Sequence, residues 1–147
     1  DKKNITVVTN SIEIAIELSD IQDITVILLG GTVRKSSLSL IGPSVAKMLE
    51  DVYIDKTFLS SKAISFDEGL TDAIVEEGLT KKELIKRSKD IYVVIDHSKL
   101  CKTSFYQVAD YRSIKAIITD GLQELNEEQK ECLAKYKEKG VEVLMAV

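Results

Sequence analysis

The chain has no tryptophan, one proline, one histidine and two cysteines among its 147 residues. Aromatic residues are 5% of it, so any core must be aliphatic, built from Ile, Leu and Val. A single proline and seven glycines leave no stretch of linker composition. There is no internal repeat or low-complexity tract either, so one domain over residues 1–147 is expected. A lone histidine, His97, excludes most zinc sites and makes a histidine-based triad remote, so neither metal nor cofactor is expected. Cys101 and Cys132 are far apart in the sequence and fit neither a CxxC pair nor a disulfide framework. They read as reduced thiols of a cytoplasmic protein. No apolar run approaches the ~20 residues of a membrane span, and no signal peptide opens the chain, so no membrane partner is expected. Twenty Lys and Arg against 24 Asp and Glu give a net charge of −4. A duplex-binding surface carries the opposite balance, so the chain by itself is not expected to grip nucleic acid.

What is present is 44% hydrophobic and 30% charged residues, the balance of a globular domain. A chain of this length can hide roughly 70% of its unfolded surface without a disulfide or metal staple. Short aliphatic runs alternate with amphipathic stretches. The strand candidates are Ile5–Val8, Ile24–Leu29, Thr57–Leu59, Ile91–Ile95, Ile114–Thr119 and Val141–Met145. Several are apolar at consecutive positions, as a parallel sheet covered on both faces requires.

Helices are expected between them. Ser11 suits the cap of one whose Ile12, Ala15, Ile16 and Ser19 share a face. Gly42-Pro43 opens another, with Val45, Met48 and Leu49 as its stripe. A third runs from about Ile74 to Ser88 on Val75, Leu79, Leu84 and Ile85. The last begins at Asn126 with Gln129 completing a capping box, turns Leu133 and Tyr136 inward, and ends at Gly140. The pattern predicts an α/β fold, a doubly wound, mostly parallel sheet with helices on both faces.

In such a sheet ligands bind beyond the carboxyl ends of the strands. The residues that follow the apolar runs are Thr9-Asn10-Ser11, Gly30-Gly31 with Arg34, Ser60-Ser61-Lys62, Asp96-His97-Ser98-Lys99 and Asp120-Gly121. Thr9, Asn10 and Ser11 lead into a helix start, where free N–H groups and the dipole favour an anion; capping by Ser11 is compatible with that. Gly30 and Gly31 let a ligand approach the backbone or make a tight turn. They match neither a Walker loop nor GxGxxG. Arg34 can fork onto a phosphate or stand in solvent. Asp96 can accept a sugar hydroxyl and Lys99 can meet a phosphate. The adjacent Asp96, His97 and Ser98 do not make a triad, since neighbours on one loop rarely converge and no nucleophile elbow surrounds Ser98. No catalytic residue is assigned. Glu76, Glu77, Lys81, Lys82 and Glu83 read mostly as a solvated helix face.

In this order the segments resemble the effector-sensing domain of the DeoR family of bacterial sugar-metabolism repressors. The matching stretches are Val7–Ser11, Leu28–Arg34, Leu38–Pro43, Asp55–Ser65, Glu68–Thr71, the helix from Glu76 to Lys81, Val94–Lys99 and Ile117–Asp120. The resemblance implies a fold like that of ribose-5-phosphate isomerase, a phosphorylated sugar as effector, and a homo-oligomer. It implies operator DNA as a partner through an N-terminal winged helix-turn-helix. It also adds Lys81 to the ligand-binding set of Thr9, Asn10, Ser11, Gly30, Gly31, Arg34, Lys62, Asp96 and Lys99.

Two departures stand out. The DNA-reading part and the family's first strand do not precede Asp1, so the chain reads as a fragment of a longer sensor. Ser60 and Ala63 stand where the family shows glycines, and Lys62 between them either adds a phosphate contact or fills space meant for sugar. The alternative reading is a sugar-phosphate isomerase, whose carboxylate base would have to be Asp96 or Asp120. A purely structural oligomerisation module is a third.

Overall fold

The structure is a computed structural model that describes residues 4–121 and 124–146. The chain divides into two compact units, Asp1–Val52 and Tyr53–Val147.

In the first unit, β1 (Ile5–Thr9) and α1 (Ile12–Ser19) lead to β2 (Ile24–Leu28). The two strands pair in parallel from Ile5 opposite Ile24 to Thr9 opposite Leu28. A parallel pair needs a crossover, and α1 supplies it. Ser11 caps α1 as its sequence position suggests, its Oγ accepting from Ile14 N at 3.3 Å. The expected apolar face of α1 is not buried: Ile16 is 67% exposed, and no residue of the helix is buried. The chain then folds into an antiparallel hairpin of β3 (Thr32–Arg34) and β4 (Ser39–Ile41). Next comes α2 (Pro43–Leu49), which starts on its proline. Val45 and Leu49 are fully buried, as its stripe requires. Met48, placed in the same stripe by its spacing, is instead 44% exposed, because its thioether turns to accept Gly30 N–H at 2.9 Å.

The second unit runs β5 (Ile54–Leu59), β6 (Ala63–Ser65), β7 (Gly69–Asp72), α3 (Val75–Lys86), β8 (Ser88–Val94), β9 (Tyr106–Ala109), β10 (Ala116–Asp120), α4 (Glu127–Glu138) and β11 (Glu142–Ala146). Four strands form a parallel sheet in the order β11-β10-β8-β5, flanked by α3 and α4. Three shorter ones form an antiparallel sheet, β6-β7-β9.

Alternate residues of the parallel sheet, among them Leu59, Ile91, Val93 and Ile117, are buried in one cluster with Ile64, Leu70 and Val108 of the small sheet. Cys132, Leu133 and Tyr136 of α4 complete that cluster. The Tyr136 hydroxyl reaches across to donate to the Ser65 carbonyl at 2.8 Å. On the opposite face Phe58 and Tyr92 stack at 5.0 Å, and Phe58, Val94 and Leu144 are exposed.

The α4 boundaries are those of the sequence pattern, with both halves of the Asn126–Gln129 capping box formed and Gly140 in the left-handed region. In α3 the stripe is shifted. Leu79 is exposed while Gly78 and Thr80 are buried, because the Tyr106 ring lies against Gly78, where a Cβ would stand 2.4 Å from it.

Candidate functional site

The first unit gathers its sequence-predicted residues around the end of β1. Thr9 Oγ accepts from Ser11 N at 3.1 Å, and its carbonyl accepts from Leu29 N at 2.8 Å. Asn10 grips the hairpin twice, its carbonyl accepting from Leu40 N at 2.7 Å and its amide donating to Leu40 O at 3.1 Å. Ser11 bridges Ser39, and Ser39 is the register partner of Arg34. The hairpin therefore brings Arg34 to the Thr9–Ser11 turn, where its Nε donates to Ser36 Oγ at 2.9 Å. Gly31 serves the same geometry: a Cβ there would lie 2.6 Å from the Ile41 carbonyl.

In the second unit the residues that follow β5 meet those that follow β7. Ser61 is buried, and its hydroxyl donates to Asp72 Oδ2 at 2.9 Å, while Lys62 beside it is exposed. Asp72 ends β7 at 4% exposure, and its Oδ1 accepts from Ala73 N at 3.1 Å. From α3 the Lys81 ammonium reaches back to pair with Asp72 Oδ2. Lys81 is thus not on a simple solvated face, since its side chain is only 20% exposed. Asp72 and Ser61 were not legible as site residues. Their partners lie 9 to 11 positions away on other elements, and only the pairing of β6 with β7 brings them together.

At the end of β8, Asp96 caps a 3₁₀ turn over His97–Lys99, accepting from Ser98 N at 3.0 Å and from the Ser98 hydroxyl. Its other oxygen pairs with Lys99 Nζ at 3.1 Å. These bonds, led by the Ser98 hydroxyl, hold the Asp96 carboxyl down at about 2. His97 turns to the next strand, its N–H donating to Asp120 Oδ1 at 2.5 Å and its Nδ1 lying 2.6 Å from Oδ2. Those bonds hold Asp120 below the usual carboxylate range. Ser98 bonds Asp96 and not His97, so no nucleophile–base pair forms.

A separate open cleft of about 450 Å³ is lined by Ser65, Phe66, Cys101, Glu128, Cys132 and Lys135 among others, and none of the predicted residues borders it. Burial and the neighbouring Cys132 push the Cys101 thiol up to about 12, away from reactive thiolate chemistry. Among the described residues no group of three or more His, Cys, Asp or Glu side chains could hold a metal ion, and no helix is long and apolar enough to cross a membrane.

The family described as the DeoR C-terminal sensor domain matches residues 1–121, and the chain belongs to that family. It is 42% identical over 117 residues to the HTH-type transcriptional repressor GlcR of Bacillus subtilis, covering 80% of this chain and 45% of that protein. It is 34% identical over 142 residues to the HTH-type transcriptional regulator GolR of Listeria innocua, 97% of this chain and 54% of that one. Identity to the glycerol-3-phosphate regulon repressor of Escherichia coli is 27% over 117 residues, 80% and 46% of the two chains. The chain spans about half the length of these curated relatives. All three are named as regulators or repressors, and the isomerase reading gives way to a sensor that is not an enzyme.

Proposed function

We propose that this chain is the effector-sensing part of a transcriptional repressor of sugar metabolism, and that its effector is a phosphorylated sugar or polyol. The observation that carries the reading is the set of Lys62, Lys81, Asp96 and Lys99 around the carboxyl ends of β5 and β8. A phosphate monoester offers a dianion to the lysines and hydroxyls to the carboxylate, whereas an unphosphorylated sugar offers only hydroxyls, which compete poorly with water. The name of the E. coli relative, a glycerol-3-phosphate regulon repressor, supports this ligand class. In the first unit, Thr9, Asn10, Ser11, Gly30, Gly31 and Arg34 are proposed as that unit's ligand-facing surface. Binding shifts the population of an oligomer's states and so alters how a winged helix-turn-helix elsewhere in the protein meets operator DNA.

Thermal denaturation with and without ligand tests the reading. Hexose phosphates and glycerol 3-phosphate are expected to stabilise the fold by about 2.7 kcal/mol at a hundredfold excess over Kd. Glucose and glycerol are expected to leave it unchanged. Equal stabilisation by a sugar and its phosphate would overturn the proposal.

A further inference from the structure

Resting on that reading, we propose that Asp72 is a positioning residue that makes Lys62 and Lys81 one anion seat, so that the effector's phosphate lies at the end of β5. A carboxylate at 4% exposure is costly unless it is paired and hydrogen-bonded. Asp72 has partners from three directions: the Ser61 hydroxyl, the Ala73 N–H and the Lys81 ammonium. Ser61 and Lys81 share the same oxygen, Oδ2. One atom therefore fixes both the turn that carries Lys62 and the ammonium of Lys81 on α3. An ammonium has three donors. Asp72 takes one, and the Lys81 side chain is 20% exposed, so solvent and a ligand can reach the ammonium.

The charge balance separates this place from the neighbouring strand end. At β5 the exposed Lys62 adds a cation beside the Lys81–Asp72 pair. Asp96 and Lys99 at β8 cancel each other within one turn. A dianion is thus drawn to Lys62 and Lys81, and the loop after β8 is left to the sugar's hydroxyls.

The variant Asp72→Asn keeps the side chain's shape and an oxygen for Ser61, but removes the charge that holds Lys81. In a double-mutant cycle on the Kd of whichever sugar phosphate stabilises the native protein, Asp72→Asn and Lys81→Met are each expected to weaken binding at least tenfold. The double variant is expected to be no weaker than the worse single one. A second readout needs no ligand. Acylation of Lys81 by an amine-reactive ester, mapped by mass spectrometry, should be several-fold faster in Asp72→Asn, with Lys62 unchanged. Additive losses in the cycle, native affinity in Asp72→Asn, or equal acylation rates would each overturn Asp72's role while leaving the proposed function standing. A native protein that binds no sugar phosphate overturns the proposed function, and the seat with it.

Discussion

The two units solve the same packing problem with unequal means. The second sets most of its inward residues into one continuous cluster, from Leu59 on β5 to Val141 before β11, with α3, α4 and a second sheet contributing. The first buries Leu29, Leu40, Val45 and Leu49 but leaves Ile14, Ile16, Ile27 and Leu28 exposed. It also has the β1–β2 ladder and the backbone bonds Leu40 N to Asn10 O and Ile12 N to Leu38 O. Small units bury a smaller share of their surface, so they depend more on such bonds. Local stability should therefore be concentrated in the second unit.

The largest expected effect is Tyr136→Ala. It empties the centre of the cluster and removes the bond to Ser65, at a cost of about 3–5 kcal/mol by chemical denaturation. A loss below 1 kcal/mol would mean that the second unit is not the stable one. Next comes a pair of glycines. Gly69→Ala forces a left-handed alanine (φ +69°) whose Cβ would lie 2.1 Å from the Ala109 carbonyl, and should cost about 2–3 kcal/mol. Gly42→Ala in the first unit has φ +106° but open space, so conformation alone costs about 1 kcal/mol. Equal losses would show that crowding does not distinguish the two sites.

A smaller effect is set by pH. Asp96 titrates at about 2 when folded against ~3.9 unfolded. The folded state then binds fewer protons, so this stabilisation is complete above about pH 4 and fades as pH falls toward 2. Because the side chain is 45% exposed, solvent screens the gain and the effect should be modest. In Asp96→Asn the acid side of the stability profile should flatten between pH 4 and 2; an unchanged slope would deny Asp96 that role. Smallest of all is Ile16→Ala. At 67% exposure it should change stability by less than about 0.5 kcal/mol, and a larger loss would reveal a cover over α1.

The comparison also explains what could be read in advance. All six aliphatic runs became strands of the parallel pairs; in Ile91–Ile95 the alternate residues Ile91, Val93 and Ile95 are buried while Val94 is exposed. The caps Ser11 and Asn126 marked their helices, because capping is local chemistry. The strands β3, β4, β6, β7 and β9 escaped, since three or four residues such as Gly69–Asp72 carry no periodicity to detect. Asp96 and Lys99 were candidates because they follow one apolar run, and the structure pairs them with each other. Asp72 was not, since nothing in the stretch Leu70-Thr71-Asp72-Ala73 announces a partner nine residues later on α3. The inward face of α3 was misread for a related reason, because the Tyr106 ring that displaces Leu79 lies on a strand 28 positions after Gly78.

Gln129 performs two tasks with one amide. Its Oε1 accepts from Asn126 N at 3.0 Å and closes the capping box, while its Nε2 donates to the His97 carbonyl at 2.8 Å. Oxygen and nitrogen are not interchangeable here, because each end of the group has a different client. A glutamate of the same shape could still cap the helix but would present a lone pair to a carbonyl. The first turn of α4 and the 3₁₀ turn after β8 are thereby geared together: whatever moves one must either carry the other along or unlatch the helix at its start.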